Sequence, residues 1–158
     1  MLRLGTASGA ILGLQSTVAL ALHNPYALHR HGPSGVLAVL SAGDRAATAG
    51  GVQLLVEAAD GSVAAGAWVA TPVGADPARA VDLGSTLLGV LCYSHDHVYV
   101  VDLAAMLTTR AAAPVTVAAW RLGASGFDVV STAAAAMGPP RRSTAALHDV
   151  VPLGDGAL

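Results

Sequence analysis

Apolar residues fall into short runs rich in Val, Leu and Ala, separated by clusters of Gly, Pro, Asp or Ser. That punctuation is the signature of strands joined by turns. The first run is Ile11 to Leu22. The second, Gly35 to Ser41, is bounded by His31-Gly32-Pro33-Ser34 and by Ala42-Gly43-Asp44. Gly51 to Ala59 and Ser62 to Thr71 flank Asp60-Gly61, a dipeptide that takes the positive φ angles of a type I′ turn at small cost. Gln53 and Glu57 alternate with apolar neighbours, which predicts a half-exposed hairpin of residues 52–57 against 63–69.

Further along, residues 72–77 read as a loop. Asp76-Pro77 has the form of an N-cap followed by proline at the first helical position, so the pattern predicts a short helix over 77–83. Ser85–Tyr93 and Val98–Leu103 form a second hairpin around Ser94-His95-Asp96-His97. Val115–Leu122 and Phe127–Thr132 form a third around Gly123-Ala124-Ser125-Gly126. About eight strands at this spacing predict an all-β domain, a β-sandwich or jelly roll. The alternative is α+β, because Asp102–Ala113 and Ala133–Ala136 are rich in Ala and favour helix. Pro114 and the Val and Thr around it weigh toward mostly β. No repeat or linker divides the chain, so residues 1–137 read as one domain. From Gly138 the Pro139-Pro140-Arg141-Arg142 segment resists helix and central strand alike, and residues 138–158 read as an extended C-terminal arm.

Composition sharpens this picture. The chain has 158 residues, one domain's worth, of which 54% are apolar and only 11% charged. Such a balance excludes a disordered protein. With a net charge of -2, no Lys, and no basic run longer than Arg141-Arg142, it also excludes a polybasic binder, and no specific nucleic acid is expected as a partner. The single Cys92 excludes a disulfide scaffold. The longest stretch without a charged residue, Leu4 to His29, is broken by Thr6, Ser8, Gln15, Ser16, Thr17 and Asn24-Pro25, so no membrane span is expected. Gln15-Ser16-Thr17 also interrupts the apolar stretch that an export signal would need before Ala19-Leu20-Ala21.

Candidate chemistry centres on histidine. His29 and His31 form one H-x-H pair and His95 and His97 another, with His23 near the first. Two imidazoles two residues apart on a strand point the same way and can serve one metal. Gly89, five residues, and then His95-Asp96-His97 resembles the first half of the cupin metal motif. That resemblance implies a small β-barrel with His95, His97 and an acid as ligands. Asp102 stands where the family has glutamate, and the glycine after it is missing. Pro152-Leu153-Gly154 matches part of the second half, but Ala157 replaces its histidine. The expectation from the residues is therefore turn and surface histidines, with no metal and no cofactor.

Nucleophile chemistry is equally thin. Cys92 lies in an apolar strand, where a thiol is buried and inert. Ser125 sits in a hairpin turn without the spacing of an esterase elbow. Gly5-Thr6-Ala7-Ser8-Gly9 lacks the spacing and the Lys of a phosphate loop. A lysine-free chain excludes Schiff-base and Walker-type enzymes, and carboxylate pairs are scarce. No catalytic residue is expected, and the chain does not read as an enzyme.

Eighteen charges are few for the surface of a domain this size. Small Ala, Gly, Ser and Thr side chains could coat it. The sharper expectation is that much of the outside is buried against other subunits. The sequence is therefore read as a structural subunit of a large symmetric assembly, of which a viral capsid, crown or decoration protein is the particular form. Its partners would be copies of itself or a major capsid protein, with no membrane involved. Its place would be the virion, or the cytoplasm if it is not viral. The residues expected to make contacts are Met1 to Leu4 and Pro139, Pro140, Arg141 and Arg142 with the tail to Leu158. Within that tail, Leu147, Val150, Val151 and Leu153 would dock in a neighbour's groove. The rivals are a cupin-like metal protein using His95, His97 and Asp102, and a small non-catalytic binding module.

Overall fold

In a computed structural model of the chain, the described residues are 2–4, 11–14, 20, 22–44, 48–58, 61–72, 75–93, 95–111, 113–123, 126–134, 137 and 149–151. The domain is mostly β, as the pattern predicts. A two-stranded sheet joins β1 (Leu2–Leu4) to β2 (Ile11–Leu14). A four-stranded antiparallel sheet runs β3 (Asn24–Arg30), β4 (Leu37–Ala42), β5 (Gly51–Glu57) and β6 (Val63–Ala70). A five-stranded antiparallel sheet has the order β11-β10-β9-β8-β7, from β7 (Pro77–Asp82), β8 (Leu87–Cys92), β9 (His97–Asp102), β10 (Thr116–Gly123) and β11 (Gly126–Ala134). One short helix, α1 (Ala104–Thr109), lies between β9 and β10. Every pairing joins sequential strands. The sandwich is thus two meanders face to face, without the crossing connections of a jelly roll.

All three sequence-predicted hairpins are present. The first closes differently from the expected two-residue turn. Ala58 and Ser62 make the last backbone pair (2.8 Å), which encloses three residues, and Gly61 takes φ +79°. A three-residue loop with glycine in the left-handed region is a common hairpin closure. The helix expected over 77–83 is instead β7. Asp76 does not cap a helix: its Oδ1 accepts the Gly43 N–H (2.9 Å). Pro77 opens the strand, a position where its missing N–H is tolerated, and β8 pairs along it from Pro77 to Asp82. β3 was not legible as a strand. Asn24-Pro25 reads as a breaker, and only pairing with β4 makes the segment extended.

The core lies between the sheets. Val36, Ala38, Leu40, Val52, Leu54 and Val69 from one side meet Leu88, Val90, Tyr99, Val101 and Val117 from the other. Met106 of α1 closes one end, with its Cε where a Cβ on Gly66 would sit at 2.6 Å. Met137 closes part of the core beyond β11, with its N–H donating to the Ala70 carbonyl (2.9 Å) and its sulfur 3.7 Å from Cys92 Sγ. A second apolar cluster lies on the outer face of the five-stranded sheet: Val81, Leu83, Leu91, Val98 and Val100, with Leu87, Trp120 and Val150 packed against it. This explains the near-continuous apolar runs of β8 and β9, whose side chains are buried on both faces. Among the described residues, no helix is long and apolar enough to cross a membrane.

Of the expected arm, residues 149–151 are described. Asp149 Oδ2 pairs with Arg79 Nη1 at 2.9 Å, Val150 packs on the outer cluster, and Val151 is exposed. Pro139, Pro140, Arg141, Arg142, Leu147, Leu153 and Leu158 lie outside the described residues, as does Met1. The rest of the expected N-terminal contact, Leu2–Leu4, pairs with β2 through Leu2↔Leu14 and Leu4↔Ile11.

Candidate functional site: the seam and the outward faces

The edge strands β3 and β7 run beside each other where the two sheets meet. Between them lies a groove of about 550 Å³, lined by Ala27, Leu28, His29 and Leu40 on one side and Ala78 to Asp82 on the other, with residues 149–151 along it. Strand alternation turns His29 inward, beside core-facing Ala38. There its Nε2 meets Asp82 Oδ1 at 2.7 Å across the seam, and Asp82 Oδ2 accepts the Gly32 N–H at 2.9 Å. Burial pushes the Asp82 carboxyl up, but these two hydrogen bonds and the nearby histidines outweigh it and hold it below its ordinary value. At the other end of the groove stands the half-exposed Arg79–Asp149 pair.

The histidines are not surface residues as a group. His31, His95 and His97 are buried, which corrects that expectation. His31 Nδ1 lies 2.6 Å from Ser34 Oγ, and its Nε2 lies 3.2 Å from the Leu87 carbonyl. The carbonyl can only accept, so Nε2 carries the proton and Nδ1 receives the serine hydroxyl. His31 thereby ties the 31–36 turn to the opposite sheet. His95 Nδ1 lies 3.1 Å from the Tyr99 hydroxyl, and the His97 ring lies near-parallel to that of Tyr99 with centroids 6.2 Å apart. His97 Nδ1 approaches Asp96 Oδ1 to 2.6 Å, but at angles outside hydrogen-bond geometry. His23 is exposed.

The ligand set implied by the cupin resemblance is not brought together. His97 is on the β9 face of Tyr99 and Val101, whereas Asp102 is on the opposite face with Val98 and Val100. Asp102 Oδ1 accepts the Ala104 N–H at 2.9 Å instead. Among the described residues, no group of three or more His, Cys, Asp or Glu side chains is placed to hold a metal. Cys92 is buried, with its thiol pushed up to about 12 by desolvation and by Asp76. Ser125 lies outside the described residues.

The outward faces carry the more unusual chemistry. Cross-strand pairing aligns Leu28, Val39, Gln53 and Trp68 in one row on the outside of the four-stranded sheet, with Leu37 and Leu55 in the next. On the five-stranded sheet the row is Arg79, Leu91, Val98, Trp120 and Val129. Antiparallel sandwiches ordinarily turn polar residues outward. The one polar chain in the first row, Gln53, spends its amide on the Leu54, Gly66 and Ala67 carbonyls at the β5–β6 irregularity (3.0, 3.0 and 3.3 Å). Trp68 lies over Gly51, where a Cβ would come within 2.5 Å of the indole. Large apolar side chains left exposed include Tyr26, Leu28, Tyr93, Val129 and Val151.

Sequence reasoning missed the seam contacts because His29 and Asp82 are far apart in the chain and β3 was not legible. An H-x-H just before a Pro-Ser turn held no sign of which acid it would meet. No family model, curated protein or solved structure matches the chain.

Proposed function

We propose that this protein is a non-catalytic structural subunit that assembles with copies of itself through its outward sheet faces. The single observation that carries the reading is the row Leu28–Val39–Gln53–Trp68 on the outside of the four-stranded sheet, apolar but for Gln53, whose amide is tied to backbone carbonyls. A monomer has no use for an apolar outward stripe on a sheet whose inward face already forms the core, whereas subunit interfaces do. The scarcity of charge points the same way, since 11% charged residues leave little to keep separate copies apart. The particular assembly we favour is a virion shell, in which the protein serves as a capsid, crown or decoration component beside a major capsid protein. β-sandwiches are widely used there, so that step rests on fold analogy.

Size-exclusion chromatography with light scattering on the purified chain tests the reading. Multimers of defined mass at micromolar concentration are expected. A well-behaved monomer across the micromolar range would overturn it.

A further inference from the structure

β7 is an edge strand of the five-stranded sheet, and Arg79 and Val81 point outward from it. The outer cluster that includes Val81 is drier than an outward face ordinarily is. Val98 is fully buried, and Leu91, Val100, Leu83 and Val81 are at most 8% exposed. The outward face of a two-layer antiparallel sandwich usually meets water, so these side chains lie under a cover. Among the described residues, the member of the cluster that comes from outside residues 81–120 is Val150.

The means by which Val150 is held are slight. Arg79 Nη1 and Asp149 Oδ2 meet at 2.9 Å, with side chains 57% and 44% exposed. The Val150 N–H donates to Asp149 Oδ1 at 2.9 Å, so it is spent locally and does not extend the β7 ladder. Val151 is exposed. Among the described residues, the ties are thus one exposed ion pair and one aliphatic side chain. Exposed ion pairs are weak and are screened by salt. Segments held by so few buried contacts open locally before the core does.

We infer that Asp149–Val151 are a releasable strap on the chain's own surface. The Arg79–Asp149 pair clamps Val150 against the outer cluster beside Val81. Opening that pair uncovers the cluster and the groove along β7 while the sandwich stays folded. The device needs no second molecule and stands apart from the assembly reading. It makes access to this apolar face depend on ionic strength, because the clamp is screened by salt and the packing beneath it is not.

The test uses the full chain. Val81→Cys, close in size to the native side chain, places a thiol in the covered cluster, and its alkylation by iodoacetamide is timed. The native Cys92 is buried in the other cluster and reports opening of the core. Adding Arg79→Asp sets two carboxylates against each other and should speed labelling of the new thiol about fivefold or more. Raising NaCl to about 0.5 M should speed it in the Val81→Cys chain and add little once Arg79→Asp is present. Exchanging the charges, Arg79→Asp with Asp149→Arg, should restore protection. Cys92 should stay unreactive throughout. Amide exchange along residues 77–82 in an Arg79→Asp chain without the added cysteine reads the same opening and should quicken while that of β5 does not. A labelling rate indifferent to Arg79→Asp overturns the strap. So does a charge exchange that restores nothing, or reaction of Cys92 in step with the new thiol, which would mean that the whole domain opens.

Discussion

The imidazole of His29 and the carboxylate of Asp82, 53 positions apart in sequence, meet at 2.7 Å across the seam between the two sheets. They tie together edge strands that otherwise face each other over a groove. Asp82 also holds the backbone of the turn after β3 through Gly32. Its carboxyl is held below the ordinary value because these hydrogen bonds favour the charged form.

The pH dependence follows from that direction. A carboxylate held low in the fold lends stability above its unfolded pKa, about 3.9 for Asp, and loses it as pH falls through the lower folded value. Asp82→Asn should cost about 0.5–1 kcal/mol at pH 7, kept small by the solvent screening of a pair about one-third exposed. The wild-type advantage should shrink once pH drops below about 4. Urea unfolding at pH 7 and pH 3 measures it, and an equal gap at both would contradict the role given to Asp82.

Met106 and Gly66 should behave as a coupled pair. Met106→Ala should cost about 2–5 kcal/mol by opening a cavity. Gly66→Ala should cost about 1–3 kcal/mol by overpacking, because its Cβ would come within 2.6 Å of Met106 Cε. In the double variant the new methyl enters space the methionine has vacated, so the sum should overestimate the loss. Additive costs in chemical denaturation would mean the two do not touch.

Arg110 ends α1 in the left-handed region, at φ 48°, with its N–H donating to the Met106 carbonyl. A side chain at such a position is strained, and glycine takes it without that penalty. Arg110→Gly should therefore stabilise the fold by about 0.5–1 kcal/mol, visible as a higher denaturation midpoint. A lower midpoint would show that the guanidinium contributes something larger than the backbone relief.

Cys92 should be inert in the native protein. With its thiol at about 12 and its sulfur packed on Met137, it presents almost no thiolate at pH 8. Ellman's reagent should detect one thiol per chain in denaturant and essentially none without it. Rapid native reaction would show that this end of the core opens readily.

The sequence by itself determined the β class, the three hairpins and the burial of Cys92. Those features follow from local periods and turn residues, as with Gly61, whose positive φ needs no distant partner. It also determined the shortage of surface charge. Tertiary structure decided the rest. Asp76-Pro77 has the local form of a helix start, yet Asp76 is drawn to Gly43 and β8 pulls residues 77–82 into a ladder. Asn24-Pro25 reads as a break until β4 supplies hydrogen bonds for β3. Imidazoles that look like turn residues are buried because Leu87, Tyr99 and Ser34 are waiting for them. The outward apolar rows were not legible either, because which face of a strand looks inward depends on register and on which sheet packs against it. Pairing across long sequence distances set those contacts, and no local pattern encodes them.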